Sequence, residues 1–291
     1  MRRNFFKELK KKPVIFDGAM GTMLMAAGLP PGEAPEAFNM KKPELIRDIH
    51  RQYFEAGADV VITNTFGGNT VKLNAKGLGA QIEAINEAGA GNAKKACPPD
   101  KWVAGDMGPT GKFLKPLGDL SIEEMEDAYY LQASFLIKGG VDLLIIETIY
   151  SLDEALAALK SAKRAGDIPV IVSMTFNRTK KGFFTMMGES ISRAIPALDA
   201  AGADAVGVNC TLGTKDMIDI TKEIREETQK PILIEPNAGK PVNREGITYY
   251  EQTPQEFAGD AEKIVQAGAD MIGGCCGTTP EFIRELSRVL S

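Results

Sequence analysis

Residues 267–280 read Ala267-Gly268-Ala269-Asp270-Met271-Ile272-Gly273-Gly274-Cys275-Cys276-Gly277-Thr278-Thr279-Pro280. Gly268 predicts the end of a helix, where a left-handed residue closes the last turn. The apolar run Asp270-Met271-Ile272 predicts a short strand. Thr279 as N-cap and Pro280 at the first helical position predict that a second helix starts there. Two adjacent cysteines therefore sit where a strand ends and a helix begins. Neighbours in a regular strand point to opposite faces, so both can serve one centre only if the strand has stopped. Gly273, Gly274 and Gly277 give the backbone that freedom.

The opening of this stretch recurs. Ala56-Gly57-Ala58-Asp59, Gly139-Gly140-Val141-Asp142 and Ala201-Gly202-Ala203-Asp204 repeat it, each closing a helix and opening a strand. Eight apolar β-rich runs start at Val14, Val60, Trp102, Leu143, Val170, Ala205, Ile232 and Met271. They are near-continuous rather than alternating, as strands buried on both faces are. Ser121 with Glu124, Ser151 with Glu154, and Thr253 with Glu256 read as capping boxes. Pro43 and Pro254 fall in first turns. Eight β–α units predict an α/β fold, a single (β/α)8 TIM barrel spanning residues 1–291 as one domain. An open doubly wound sheet is the alternative, but no G-x-G-x-x-G follows the first strand.

Strand-to-helix links are long and helix-to-strand links short, which gathers the loops at the C-terminal ends of the strands. Polar residues ending the strands should meet there: Asp17, Asn64, Asp106, Glu147, Asn209, Cys210, Asn237, Cys275 and Cys276. The proline-rich excursion at 28–42 is expected to cover the barrel mouth. Gly105 to Lys112 resembles a phosphate loop, but it has one residue too many between its glycines, and Phe113 stands where Ser or Thr belongs.

Cys210 ends the strand Ala205–Cys210 and is the expected third partner of the pair. Three thiolates from two strand ends, with a fourth position open, suit a catalytic zinc site. Two buried thiols plus an oxidisable vicinal pair are the plainer alternative. Glu147 equally suits a helix cap or a barrel layer, and Asp17 could brace the turn at Gly18. Asn237 could satisfy backbone groups.

The totals narrow the function classes. A chain of 291 residues with 44% apolar and 25% charged residues is ordinary for a globular protein. A net charge of −5, with no basic stripe, argues against nucleic acid. The densest basic run, Lys7 to Lys12, is expected to solvate the N-terminus. No run is long enough for a membrane span, and no signal-peptide pattern opens the chain, so the expected location is the cytoplasm. There, clustered cysteines bind metal or react. One histidine, His50, excludes H-E-x-x-H zinc sites.

From residue 14 to the C-terminus the motifs resemble the homocysteine S-methyltransferase family. They are Asp17-Gly18-Ala19-Met20-Gly21-Thr22, Thr63-Asn64-Thr65-Phe66, Gly207-Val208-Asn209-Cys210 and Gly274 to Pro280. Gly105 to Gly111 and Glu235 to Pro241 look most like the homocysteine-binding module of cobalamin-dependent methionine synthase. The resemblance implies Zn2+ held by Cys210, Cys275 and Cys276, with Asp17 and Glu147 receiving the amino group of homocysteine. It implies that the backbone at Gly18 and Ala19 takes the carboxylate and that Asn237 lies near the metal. Cys97 matches no motif.

The D-x-H-x-x-G signature of cobalamin binding is absent. The expected methyl donor is therefore methylcobalamin on a separate corrinoid protein, with betaine or S-methylmethionine as alternatives. Two rivals stand beside this reading. One is a Schiff-base lyase, though no strand run carries a lysine. The other is a non-catalytic zinc- or thiol-binding subunit of a corrinoid methyltransferase system.

Overall fold

Eight parallel strands close on themselves in the computed structural model of the chain, which describes residues 5–8, 12–244 and 247–290. The strands are β1 (Val14–Ile15), β2 (Val60–Ile62), β3 (Trp102–Met107), β4 (Leu143–Ile149), β5 (Val170–Met174), β6 (Ala205–Gly213), β7 (Ile232–Asn237) and β8 (Met271–Ile272). Each lies beside its sequence neighbours, and β8 pairs with β1. A parallel bridge from Phe16 to Val60, and Asp59 N–H donating to Ile15 O at 2.7 Å, close the ring between β1 and β2. The (β/α)8 barrel expected from the eight apolar runs is thus the observed fold. No helix among the described residues is long and apolar enough to cross a membrane. Lys10 and Lys11 of the basic run lie outside the described residues.

Alternate residues of the strands fall into two layers. Ile15, Val61, Val103, Leu144, Ile146, Val206 and Ile234 pack outward against the helices. Phe16, Val60, Trp102, Ala104, Leu143, Ile145, Ile171, Ala205, Leu233 and Met271 fill the barrel. Phe5, from a short N-terminal helix, plugs the lower end. Its ring meets Trp102 edge-on at 5.5 Å and Phe16 at 6.4 Å. Burying a phenyl group this way contributes about 1.5–3 kcal/mol.

The recurring Asp proves to be a clamp. At each helix end the glycine takes positive φ, at Gly57 (110°), Gly140 (92°), Gly202 (91°) and Gly268 (117°). The aspartate two residues later accepts a backbone N–H from the preceding odd-numbered strand. Asp59 takes Ile15 N–H (3.1 Å) and Asp142 takes Val103 N–H (2.8 Å). Asp204 takes Val170 N–H (2.8 Å) and Asp270 takes Ile232 N–H (2.9 Å). Lys101, Lys94, Lys163 and Arg225 neutralise the four carboxylates in turn.

Two of the three expected capping boxes form, at Ser121 and Thr253. At Ser151 none does. Glu154 is buried and accepts from Thr110 N–H, Thr110 Oγ1 (both 2.7 Å) and the Tyr129 hydroxyl (2.9 Å), three donors that outcompete one serine N–H. The excursion at 28–42 is pinned rather than hinged. Asn64 Nδ2 donates to Pro35 O (2.8 Å) and Asn39 Oδ1 (3.0 Å), and Gly67 N–H donates to Glu36 (2.6 Å). The long loops after β5 and β7 each carry an unforeseen hairpin, Asn177–Phe184 and Pro241–Tyr250.

Asp142→Ala leaves the buried Val103 N–H without its side-chain acceptor and Lys94 without its partner. A loss of about 1–3 kcal/mol follows, lowering the melting temperature by roughly 2–10 °C. Asp127→Ala, at an exposed ion pair, should shift the melt far less.

Candidate active site

The inward rows of the strands change character toward their C-terminal ends. Two residues past the apolar filling, β3 presents Asp106, β4 Glu147, β5 Ser173 and β7 Glu235, and β6, with Gly207 intervening, presents Asn209 four residues past Ala205. Two strands then leave regular pairing. On β4, Thr148 has φ 59° and the register to β5 slips between Ile146 and Ile149. On β6, Cys210 and Thr211 have φ 60° and 58°, and the register to β7 slips between Asn209 and Gly213. These are bulges, which turn side chains that a flat strand would point elsewhere. Asn209 fixes both. Its Oδ1 accepts from Thr148 N–H and Ser173 Oγ (2.9 Å each), and its Nδ2 donates to Glu147 Oε2 (2.9 Å) and Thr148 Oγ1 (2.7 Å).

β8 ends at Ile272, before the cysteine pair. Gly274 N–H donates to Asp17 O (2.9 Å) and Cys275 N–H to Pro236 O (2.8 Å), so the segment is tied to β1 on one side and β7 on the other. A Cβ at Gly274 would lie 2.6 Å from Thr278 Oγ1. Gly277 has φ 83°, and a Cβ there would enter the Tyr250 ring.

These turns bring three thiols together. The Sγ atoms of Cys210, Cys275 and Cys276 all lie within 4.8 Å of one another, and Cys210 and Cys276 are 3.9 Å apart. A tetrahedral zinc–thiolate centre with Zn–S near 2.3 Å has S–S edges of about 3.8 Å. The donor set and its spacing therefore fit such an ion. Hydrogen bonds from the Cys210 and Cys275 thiols, with Tyr250 contributing, pull Cys276 down to about 3. The hydrogen bonds it makes to the other two thiols, and then burial, raise Cys275.

Beside the thiols lie carboxyls short of donors. Asp17 is buried, its Oδ2 accepts from Ile62 N–H (3.0 Å), and its Oδ1 has no partner. Asp106 Oδ1, both Glu235 oxygens and Asn237 Oδ1 are likewise buried and unpartnered. Burial raises Asp17, Asp106 and Glu235 well above the usual carboxylate range. Burial, then the Cys276 charge, pushes Glu147 up to about 7. Asn209 connects the two sets, since its Nδ2 also lies 4.0 Å from Cys275 Sγ. At Gly18 a Cβ would stand 2.7 Å from Thr278 Oγ1, the atom that accepts Ala19 N–H at 3.1 Å.

The sequence profile of the family described as homocysteine S-methyltransferase matches residues 14–290. The chain belongs to that family. Methionine synthase of Mycobacterium leprae (strain TN) is 33% identical over 306 aligned residues, covering 99% of this chain and 25% of its own length. Methionine synthase of Mycobacterium tuberculosis is 34% identical over 301, covering 97% and 25%. The chain thus spans about a quarter of the length of the curated relatives it matches. The metallated form of the Escherichia coli homocysteine methyltransferase MmuM superposes with TM-score 0.82 at 24% identity, covering 98% of both chains. Its oxidised form gives 0.81 at 25%, covering 96% and 97%.

In this chain the three cysteines, Asp17 and Glu147 converge on the barrel mouth. Asn237 reaches the same rim, where Ala238 N–H donates to Cys276 O (3.0 Å). Asn64 does not join them; it anchors the excursion. Cys97 caps a distant helix, Ile82–Ala96. Glu235 and Tyr250 escaped the residue-by-residue reading. The two-residue phase from Leu233 could have flagged Glu235, but nothing local marks Tyr250.

Glu147 gives a pH test on metal-free protein. Its folded value of about 7 exceeds the ordinary 4.5, so the native state binds more protons between those values. Its contribution therefore makes stability fall as pH rises through that window. Glu147→Gln should raise the unfolding free energy at pH 8 and change it little at pH 4. A variant that follows the wild-type pH profile would contradict the assignment.

Proposed function

We propose that the barrel mouth binds homocysteine and presents its sulfur as a thiolate to a methyl group, giving methionine. The carrying observation is the set of three thiols within 4.8 Å beside buried carboxyls that lack donors. An amino acid ending in a thiol complements both halves. Cys210, Cys275 and Cys276 are the residues that would hold zinc, which when bound favours the deprotonated form of a coordinated thiol. Asp17 and Glu147 receive the ammonium, with Asn209 holding Glu147 in place. The backbone at Gly18 and Ala19 lies on the side for the carboxylate, and Asn237 borders the thiols. The reaction forms an S–CH3 bond and breaks the donor's bond to its methyl, whose electron pair leaves with the donor. The thiol proton passes to solvent.

The donor we favour is methylcobalamin on a separate corrinoid protein. The supports are the 33–34% identity to methionine synthases across nearly the whole chain and the Glu235–Pro241 motif. We read residues 1–291 as one homocysteine-binding domain.

Protein purified under reducing conditions should hold about one zinc per chain and release protons when homocysteine is added. Cys275→Ser and Cys276→Ser should each lose the metal and the transfer activity while keeping the barrel's circular dichroism. Full metal retention in both would refute the ligand set. Among donors, free methylcobalamin should support turnover; methylation from betaine or S-methylmethionine alone would refute the corrinoid assignment.

A further inference from the structure

Asp106 is held as though for a ligand that is not part of its own framework. Its N–H donates to Thr63 Oγ1 (2.9 Å), and its carbonyl accepts from Thr65 Oγ1 (2.9 Å) and Gln132 Nε2 (3.1 Å). Thr63 and Thr65 hydroxyls bond each other at 2.6 Å. Three polar side chains thus fix this one peptide segment at the floor of the mouth. Yet the side chain they position is 4% exposed and its Oδ1 receives no hydrogen bond. A buried carboxylate oxygen without a donor is costly to keep.

The register places the side chain on the inward face. Asp106 pairs with Ile145, so Glu147 lies two residues further along the neighbouring strand on the same inward face. The two carboxyls are within hydrogen-bond reach of each other, so one small donor can touch both. Lys72 lies on this side, 4.6 Å over the Phe66 ring, and feels the Asp106 charge after that of Glu36, at longer range than a hydrogen bond. A primary ammonium has three N–H groups. Asp17 Oδ1 and Glu147 account for two.

Resting on the homocysteine reading above, we infer that Asp106 is the third acceptor for the substrate's ammonium, completing a three-carboxylate nest that selects a primary amine. Glu235 is the competing acid, but among the described residues no side chain bonds its backbone, which is held by pairing with β6, and its carboxyl packs toward β8, where a Cβ at Gly273 would lie 3.2 Å from Oε1.

The test is calorimetric binding to the metal-loaded full chain, using homocysteine and 4-mercaptobutanoate, the same thiol acid without its amino group. Wild type should bind homocysteine more tightly; equal affinities would overturn the homocysteine reading itself, whatever Asp106 does. Given that preference, Asp106→Asn should weaken homocysteine by roughly ten- to a hundredfold, the scale of one charge-assisted hydrogen bond. It should leave 4-mercaptobutanoate affinity and zinc content unchanged. Glu235→Gln should preserve the amino preference. Asp106→Ser, smaller and neutral, replaces Asp106→Asn if that variant fails to fold. The assignment is overturned by unchanged homocysteine affinity, by equal losses for both thiols, by loss of the preference in Glu235→Gln instead, or by failure of both Asp106 variants to fold.

Discussion

In a closed barrel every second residue of each strand faces inward, and no strand can rotate to avoid it. That phase sets the site. The inward rows run apolar through Trp102 and Ala104, Leu143 and Ile145, and Leu233, and they turn polar together at Asp106, Glu147 and Glu235. The filled layer beneath is a dry floor, with Phe5 closing it from below. Carboxyls standing on such a floor lose hydration on one side, and burial becomes the largest cause of their raised pKa values. Packing at the bottom of the barrel thereby sets the charge at its top.

Phase alone would not gather the thiols. Cys210 follows the inward Asn209, so in a regular strand it would face the helices. The left-handed residues at Thr148, Cys210 and Thr211 break that rule, at about 1–3 kcal/mol each for such backbone. Asn209 offsets part of the cost by bonding Thr148 through both N–H and hydroxyl, while also gripping Glu147 and Ser173. One amide therefore couples the carboxyl side of the mouth to the thiol side. Moving Asn209 would disturb the carboxyl side and the thiol side of the mouth at once.

Much of this could be read in the chain before folding. Eight apolar runs and four Gly-x-Asp joints announce a barrel, because buried parallel strands and helix ends have strong local signatures. The thiol pair followed by Thr279-Pro280 announces a strand end, and the family motifs point to Cys210, Asp17 and Glu147. What was not readable depends on distant partners. The clamp role of Asp142 needs a strand that lies 39 residues earlier. Glu154 fits a capping box by spacing but is claimed by Thr110 and Tyr129, and three buried bonds outweigh one exposed cap. The left-handed Thr148 is imposed by Asn209, 61 residues away, and Tyr250 reaches the cysteines only because the Pro241–Tyr250 hairpin folds back.

The mouth also sets acidic carboxyls and thiols side by side, and on the homocysteine reading this arrangement carries selectivity. After burial, charge on Cys276 raises Glu147, and charge on Glu147 raises Asp106 and Glu235. Each negative group makes the next harder to ionise. A plain alkyl thiol entering as thiolate would add to that repulsion and leave the carboxyl oxygens unpaired. A thiol carrying an ammonium at its other end reverses the balance, because the positive end favours ionised carboxylates. With the carboxylates paired, their charge weighs less on the thiol side. On that reading, binding energy gained at Asp17 and Glu147 is realised at the sulfur, and the same coupling has protons leave as the substrate enters.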